Sequence, residues 1–329
     1  MTGLDRIGVI GGGAWGTALA QAAVRAGRRV VLWARNPDVV SAIGARHENP
    51  IYLPGIPLDP AITATTDLAR AAAADALLIV TPAQHVRELC RRLPATPPPL
   101  VICAKGFETA SGALMSEVAA AERPDAALAV LSGPSFAAEV AGGLPTAVTL
   151  GCADAGLGEA LVRALGSRTF RPYWSDDLLG VQIGGAVKNV LAIAAGIVMG
   201  RGLGDNARAA LITRGLAELM RLGAAMGARR ETLMGLSGLG DVMLTCTSLA
   251  SRNASLGHAL GQGRTLAEVL AGRRSVSEGV YTAAAVVRLA ADHGVEAPVA
   301  AGVDAVLRGA ADVSTAIAAL LDRPFKAEH

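Results

Sequence analysis

The sequence predicts an α/β domain built on an open, mostly parallel sheet over residues 1–175, followed by an all-α domain over residues 176–329. Three observations predict it. A glycine-rich turn, Gly11-Gly12-Gly13-Ala14-Trp15-Gly16, joins a β-branched run to a helical stretch, short apolar runs bounded by turn residues recur up to about Tyr173, and beyond Ser175 no strand run is found. At 329 residues the chain exceeds the usual size of a single core, which agrees with two domains.

The first element is the run from Asp5 to Ile10, followed by the glycine turn, a helix from Thr17 to Ala26 and a second strand from Arg29 to Trp33. This βαβ opening carries glycines at GxGxxG spacing: Gly11 for the tight turn, Gly13 for close approach of a pyrophosphate and Gly16 for helix–strand contact. The helix start adds free N–H groups and partial positive charge. The domain therefore reads as a Rossmann-type dinucleotide-binding domain, the alternative being a glycine turn without a ligand. Trp15 either stacks on the cofactor or plugs the packing below it. After the second strand, where an NAD enzyme would place Asp or Glu, the chain reads Trp33-Ala34-Arg35-Asn36. Arg35 suits a 2′-phosphate and favours NADP(H) over NAD(H), unless it is an ordinary surface arginine.

Buried strands follow at Ala76 to Val80, Leu100 to Ala104 and Leu128 to Leu131, and two more at Thr146 to Leu150 and Thr169 to Tyr173 close the domain. Asn49 to Gly55 (NPIYLPG) reads as an irregular loop over the sheet. Ligands collect at the carboxyl ends of strands in such sheets, which sites Lys105, Gly133 and Ser135 for binding. The helices expected beyond the boundary run over Asp176 to Met199, Ala207 to Met226, Ser251 to Leu260, Thr265 to Leu270, Thr282 to His293 and Ala300 to Leu307, with a turn around Gly235 to Gly240.

Composition narrows the function classes. A net charge of +2 with 18% charged residues leaves no basic block to track a phosphate backbone, so nucleic acid is not an expected partner. The four cysteines lack CxxC spacing, which argues against a zinc site or redox dithiol and fits reduced thiols in the cytoplasm. No signal-peptide pattern opens the chain.

The stretch from Leu178 to Gly200 is apolar except for Lys188. Lys188 breaks the run into pieces shorter than a membrane span needs. Its helical face carries Val181, Gly184, Gly185, Ala192 and Ala195, so the residue is either an amine kept for chemistry, with its stem and a small ligand over Gly184 and Gly185, or a lysine snorkelling to the surface. Gly238-Leu239-Gly240-Asp241 offers a carboxylate that would partner it, or a simple capping turn. Ser251-Arg252-Asn253 offers a guanidinium, hydroxyl and amide to grip a phosphate, or a capped helix start.

Taken in order, VIGGGAWGTALA, NPIYLPG, AKGFE, LSGPSFAAEV, GGAVKN, ALITRGLAEL, GLSGLGDVMLTC, SRN and SEGV closely resemble the bacterial NAD(P)-dependent glycerol-3-phosphate dehydrogenases over nearly the full chain. The resemblance implies Lys188 as catalytic acid/base, with Lys105, Gly133, Ser135, Asp241, Ser251, Arg252 and Asn253 on the substrate. It places Trp15, Arg35, Lys105, Ala137, Arg252, Val276 and Glu278 on the cofactor beside Gly11, Gly13 and Gly16. Ala14 stands where relatives often carry Ser, which removes one hydroxyl contact. The implied reaction reduces a phosphorylated C3 ketone, dihydroxyacetone phosphate, with hydride from NADPH and a proton from Lys188, needs no metal, and supplies glycerophospholipid synthesis. A homodimer without a membrane span is the assembly expected. Two rivals stand beside it: another two-domain hydroxyacid or ketoacid dehydrogenase, which would lack the SRN grip, and a non-catalytic NADPH-binding regulator, which would have no reason to bring Lys188, Asp241 and Arg252 together.

Overall fold

The computed structural model describes residues 3–272 and 277–324. Eight strands, β1 (Arg6–Ile10), β2 (Arg29–Trp33), β3 (Ile62–Thr65), β4 (Ala76–Ile79), β5 (Leu100–Ile102), β6 (Leu128–Ser132), β7 (Thr146–Gly151) and β8 (Phe170–Ser175), form one sheet in the order β3-β2-β1-β4-β5-β6-β7-β8. All neighbours run parallel except β6 and β7. Strands such as Ala76–Ile79 and Leu100–Ile102 are buried on both faces, which is why they read as unbroken apolar runs.

Strands β2 and β3 lie on one side of β1 and β4 on the other, so the strand order reverses at β1, the topological position where ligands bind in open α/β sheets. The glycine turn follows β1 and leads into the Ala14–Arg25 helix, which starts three residues earlier than the sequence suggested. Gly16 explains the fingerprint: a Cβ there would lie 1.7 Å from the Gly11 carbonyl oxygen. Strand β3 was not expected. Its ITAT pattern is half threonine and it lies at the sheet's edge, with two residues only partly buried.

Past β8 the described elements are helical. The Leu178–Gly200 helix is their centre, with 18 of its residues buried. It runs unbroken through Lys188 for 23 residues with mean hydropathy 1.7, so by length and composition it would pass as a span; 83% of that window is buried inside the protein, as a core helix is. Glycines let its neighbours come close. A Cβ at Gly196 would meet the Ala254 carbonyl oxygen at 2.1 Å, and one at Gly257 the Ile193 carbonyl oxygen at 2.0 Å, so the Arg252–Gly261 helix packs backbone to backbone against it. A further helix, Val313–Leu321, was not expected; it buries no residue fully, and only Val313, Ile317 and Leu320 on one face pack against the helical core.

Candidate active site

Lys188 lies midway along the Leu178–Gly200 helix with 11% of its side chain exposed. It does not snorkel. Its Nζ donates to Asp241 Oδ1 at 2.5 Å and to Thr245 Oγ1 at 3.0 Å. Asp241 is presented by a π-helical turn, Leu236–Gly240, closed by the Gly240 N–H donating to the Gly235 carbonyl at 3.0 Å, and it opens the Asp241–Thr247 helix. Thr245 follows one helical turn later on the same face.

The second oxygen of Asp241 accepts from Lys105 Nζ at 2.6 Å, and Lys105 also donates to the Gly133 carbonyl at 3.0 Å. One buried carboxylate thus holds two ammonium groups from opposite sides of the seam between sheet and helices. The loop carrying Lys105 is pinned by Gln84, whose Nε2 donates to the Phe107 carbonyl at 2.8 Å and whose Oε1 accepts from the Thr109 N–H at 2.9 Å. Ser135 follows β6 and donates from Oγ to the Gly133 carbonyl at 3.0 Å.

The electrostatics follow from this burial. Desolvation lowers the Lys188 pKa to about 8, against the opposing pull of Asp241 and with help from the Lys105 charge. Burial also works to raise the Asp241 pKa, but Lys105 and Lys188 together outweigh it and hold the carboxyl below its ordinary range. At neutral pH the pair is ionised, with Lys188 poised to release a proton just above it.

The face over Gly184 and Gly185 does not receive a ligand. A Cβ at Gly184 would lie 2.5 Å from the Ser237 carbonyl oxygen, and one at Gly185 would lie 2.3 Å from Ser132 Oγ and 3.5 Å from Lys105 Cδ. The two glycines let the Asp241-bearing turn and the Lys105 stem reach the helix, a close approach of protein to protein.

The SRN residues are put to different uses. Ser251 caps the Arg252–Gly261 helix, its Oγ accepting from the Ala254 N–H at 3.2 Å. Buried Asn253 donates to Asn189 Oδ1 at 2.9 Å and accepts from the Gly279 N–H at 3.1 Å, so it ties three helices rather than presenting an open amide. Arg252 is exposed at the helix start, where its charge acts on Glu278. Glu278 crosses the seam to accept from the Ala83 N–H at 3.3 Å, and burial raises its pKa despite that bond and Arg252.

Around the glycine turn, Gly13 borders open space, since a Cβ there would meet nothing within 4 Å. Trp15 packs partly against the sheet core while its Nε1 is buried with no hydrogen-bond partner among the described residues, and Arg35 is exposed just past β2. Ala137 begins a short helix after β6. An open backbone approach and an unmatched donor fit a dinucleotide here. Val276 lies outside the described residues. Thr245 and Asn189 were missed in the sequence. Thr245 stands four residues after Asp241, a helical spacing that would have found it; Asn189 directly follows Lys188 in GGAVKN.

Residues 6–157 match the family model described as NAD-dependent glycerol-3-phosphate dehydrogenase N-terminus, and residues 177–318 match the one described as its C-terminus. The chain belongs to the NAD-dependent glycerol-3-phosphate dehydrogenase family. It is 65% identical to the glycerol-3-phosphate dehydrogenase (NAD(P)+) of Rhodospirillum rubrum over 99% of this chain and 94% of that one. Its fold matches the crystal structure of glycerol-3-phosphate dehydrogenase from Coxiella burnetii with a TM-score of 0.92 at 40% identity, covering 97% of this chain and 99% of that one. A ketopantoate reductase from Ralstonia eutropha shares the fold alone, with a TM-score of 0.57 at 16% identity over 92% of this chain and 97% of that one.

Proposed function

We propose that this chain reduces dihydroxyacetone phosphate reversibly to sn-glycerol 3-phosphate with NADPH or NADH, feeding glycerophospholipid synthesis. The observation that carries the reading is the buried Asp241 carboxylate bonded at once to Lys188 and Lys105 at the seam. The nicotinamide cofactor, when bound, supplies the hydride. Lys188 Nζ gives its proton to the oxygen of the reduced carbonyl, and takes it back in the oxidative direction. Asp241 and Thr245 hold the ammonium in place, and the charge of Lys105 stabilises negative charge developing on that oxygen. Gly133 and Ser135 border the substrate at the end of β6. Arg252 grips the substrate phosphate, helped by the positive end of the helix that begins with it and with Ser251 and Asn253 at its start. On the cofactor side, Gly11, Gly13 and Gly16 would shape the turn that takes the pyrophosphate, Arg35 would pair with a 2′-phosphate, and Trp15, Ala137, Lys105, Arg252 and Glu278 would complete the set that holds the cofactor. Val276 is carried into this set by the resemblance alone.

The rival regulator is disfavoured by the direct Lys188–Asp241 contact, a costly buried arrangement with no role in cofactor binding alone. Four buried free cysteines agree with a reducing cytoplasm, which is part of the proposal together with a homodimeric state. The test is NADPH oxidation across phosphorylated and unphosphorylated C3 ketones. Turnover confined to dihydroxyacetone phosphate supports the reading; equal turnover of dihydroxyacetone, or turnover of ketopantoate instead, refutes it.

A further inference from the structure

The NPIYLPG segment takes no part in the chemistry above, yet its first residue, Asn49, has none of its surface exposed and lies against the glycine turn. Its Nδ2 donates to the Gly12 carbonyl at 3.0 Å and to Thr17 Oγ1 at 2.8 Å. Its Oδ1 accepts from the Tyr52 N–H at 3.2 Å, while the Leu53 N–H donates to the Asn49 carbonyl at 2.8 Å. Both protons of the amide are used on the glycine turn and its helix, and the segment folds back to hold that amide in place.

The orientation this fixes follows from peptide geometry. No cis peptide occurs among the described residues, and in a planar trans peptide the carbonyl and the following N–H face opposite ways. With the Gly12 carbonyl held by Asn49, the Gly13 N–H faces away from Asn49, and Gly13 borders open space. A glycine–glycine peptide resists rotation less than any other, so an external tie matters more here than elsewhere in the helix start. We propose that Asn49 is a positioning residue for the cofactor: by pinning the Gly12 carbonyl and the Thr17 hydroxyl it keeps the Gly13 N–H aimed outward to receive a pyrophosphate oxygen. The inference rests on the glycine turn being the dinucleotide site of the proposed dehydrogenase, and adds the residue that preorganises it.

The test measures NADPH affinity directly, from the fluorescence of bound NADPH with no ketone present, in Asn49→Asp and Thr17→Val. Asn49→Asp keeps the shape and the acceptor for Tyr52 but removes both donors. Thr17→Val keeps the shape, adds no charge, and removes one of the two anchors of the amide. The Kd for NADPH is expected to rise about tenfold or more in Asn49→Asp and about threefold in Thr17→Val. The KM for dihydroxyacetone phosphate at saturating NADPH should move less than about twofold in both, a split that general loosening of the fold would not give. If Asn49→Asp fails to fold, Thr17→Val decides alone. Wild-type NADPH affinity in the folded variants overturns the proposal, as does a substrate KM that rises in step with the cofactor Kd. Because binding is read without a ketone, a wild-type protein that binds NADPH but reduces no ketone would refute the proposed reaction and leave the Asn49 result readable.

Discussion

Lys188 Nζ stands 2.5 Å from Oδ1 of Asp241, a carboxylate with 1% of its side chain exposed. The contact opposes the desolvation that brings the lysine's pKa down to about 8. Without the anion, desolvation and the Lys105 charge act unopposed, and the ammonium form becomes harder to keep. In Asp241→Asn the alkaline limb of kcat/KM for ketone reduction should therefore move to lower pH, since the acid must be protonated to act, and activity at pH 8 should fall by about tenfold or more. Two ammonium groups around a neutral amide should also cost stability, about 3–5 kcal/mol, read as a lower Tm. An unmoved pH limb in a folded variant would show that Asp241 does not tune the acid.

Arg252 is the exposed cation at the start of the Arg252–Gly261 helix. Arg252→Ala should raise the KM for dihydroxyacetone phosphate about 10- to 100-fold, the scale of a lost charge-assisted bond, with little change in Tm. Its charge also acts on Glu278, so a weaker hold on NADPH is compatible with the assignment. A variant that melts early but keeps its substrate KM would make the residue structural.

Arg35 follows β2 on the surface, where an acidic residue would favour NAD. Arg35→Asp should weaken NADPH use by on the order of 2–4 kcal/mol in kcat/KM while sparing NADH. Equal kinetics with both cofactors before and after the substitution would remove Arg35 from the cofactor site.

Stability away from the site has its own pH signature. Glu218 is buried between helices and accepts from the Val299 and Ala300 N–H groups at 2.8 and 3.2 Å, while burial pushes its pKa up to about 7. A carboxyl whose folded pKa lies above its unfolded value favours folding fully below the unfolded pKa and loses that advantage as pH rises through the folded one. The stability difference between wild type and Glu218→Gln should therefore shift against the wild type between about pH 4.5 and 7, by at most on the order of 3 kcal/mol. Parallel Tm-versus-pH curves for the two proteins would contradict it.

The sheet was legible because its central strands are unbroken apolar runs between turn residues, and the glycine turn marked the end of β1 and the helix beyond it. Strand β3 escaped because its alternation, Ile62-Thr63-Ala64-Thr65, is only four residues long at the sheet's edge and has Ile62 as its one large apolar residue, too little to stand out from the flanking loops. Lys188 was visible as the lone ionisable group in an apolar helix, and Asp241 as its partner. That Lys105 shares the same carboxylate from 136 positions away was not, since nothing local encodes a contact across the seam. Gly184 and Gly185 were misread for a physical reason: small residues mark close approach without saying whether a ligand or a backbone approaches, and here it is the Ser237 carbonyl and Ser132.

Lys188 as the proton donor for ketone reduction stands or falls on the turnover of Lys188→Ala with NADPH and dihydroxyacetone phosphate. The variant should fold, because Lys105 still pairs the buried Asp241 carboxylate at 2.6 Å, and kcat should fall roughly 100-fold or more, the usual scale for a positioned acid. The limb near pH 8 should vanish from its rate profile, and Lys188→Arg should not restore activity, because a guanidinium does not release its proton there. A folded Lys188→Ala enzyme with wild-type turnover and an unaltered pH profile would contradict the account and turn attention to Lys105.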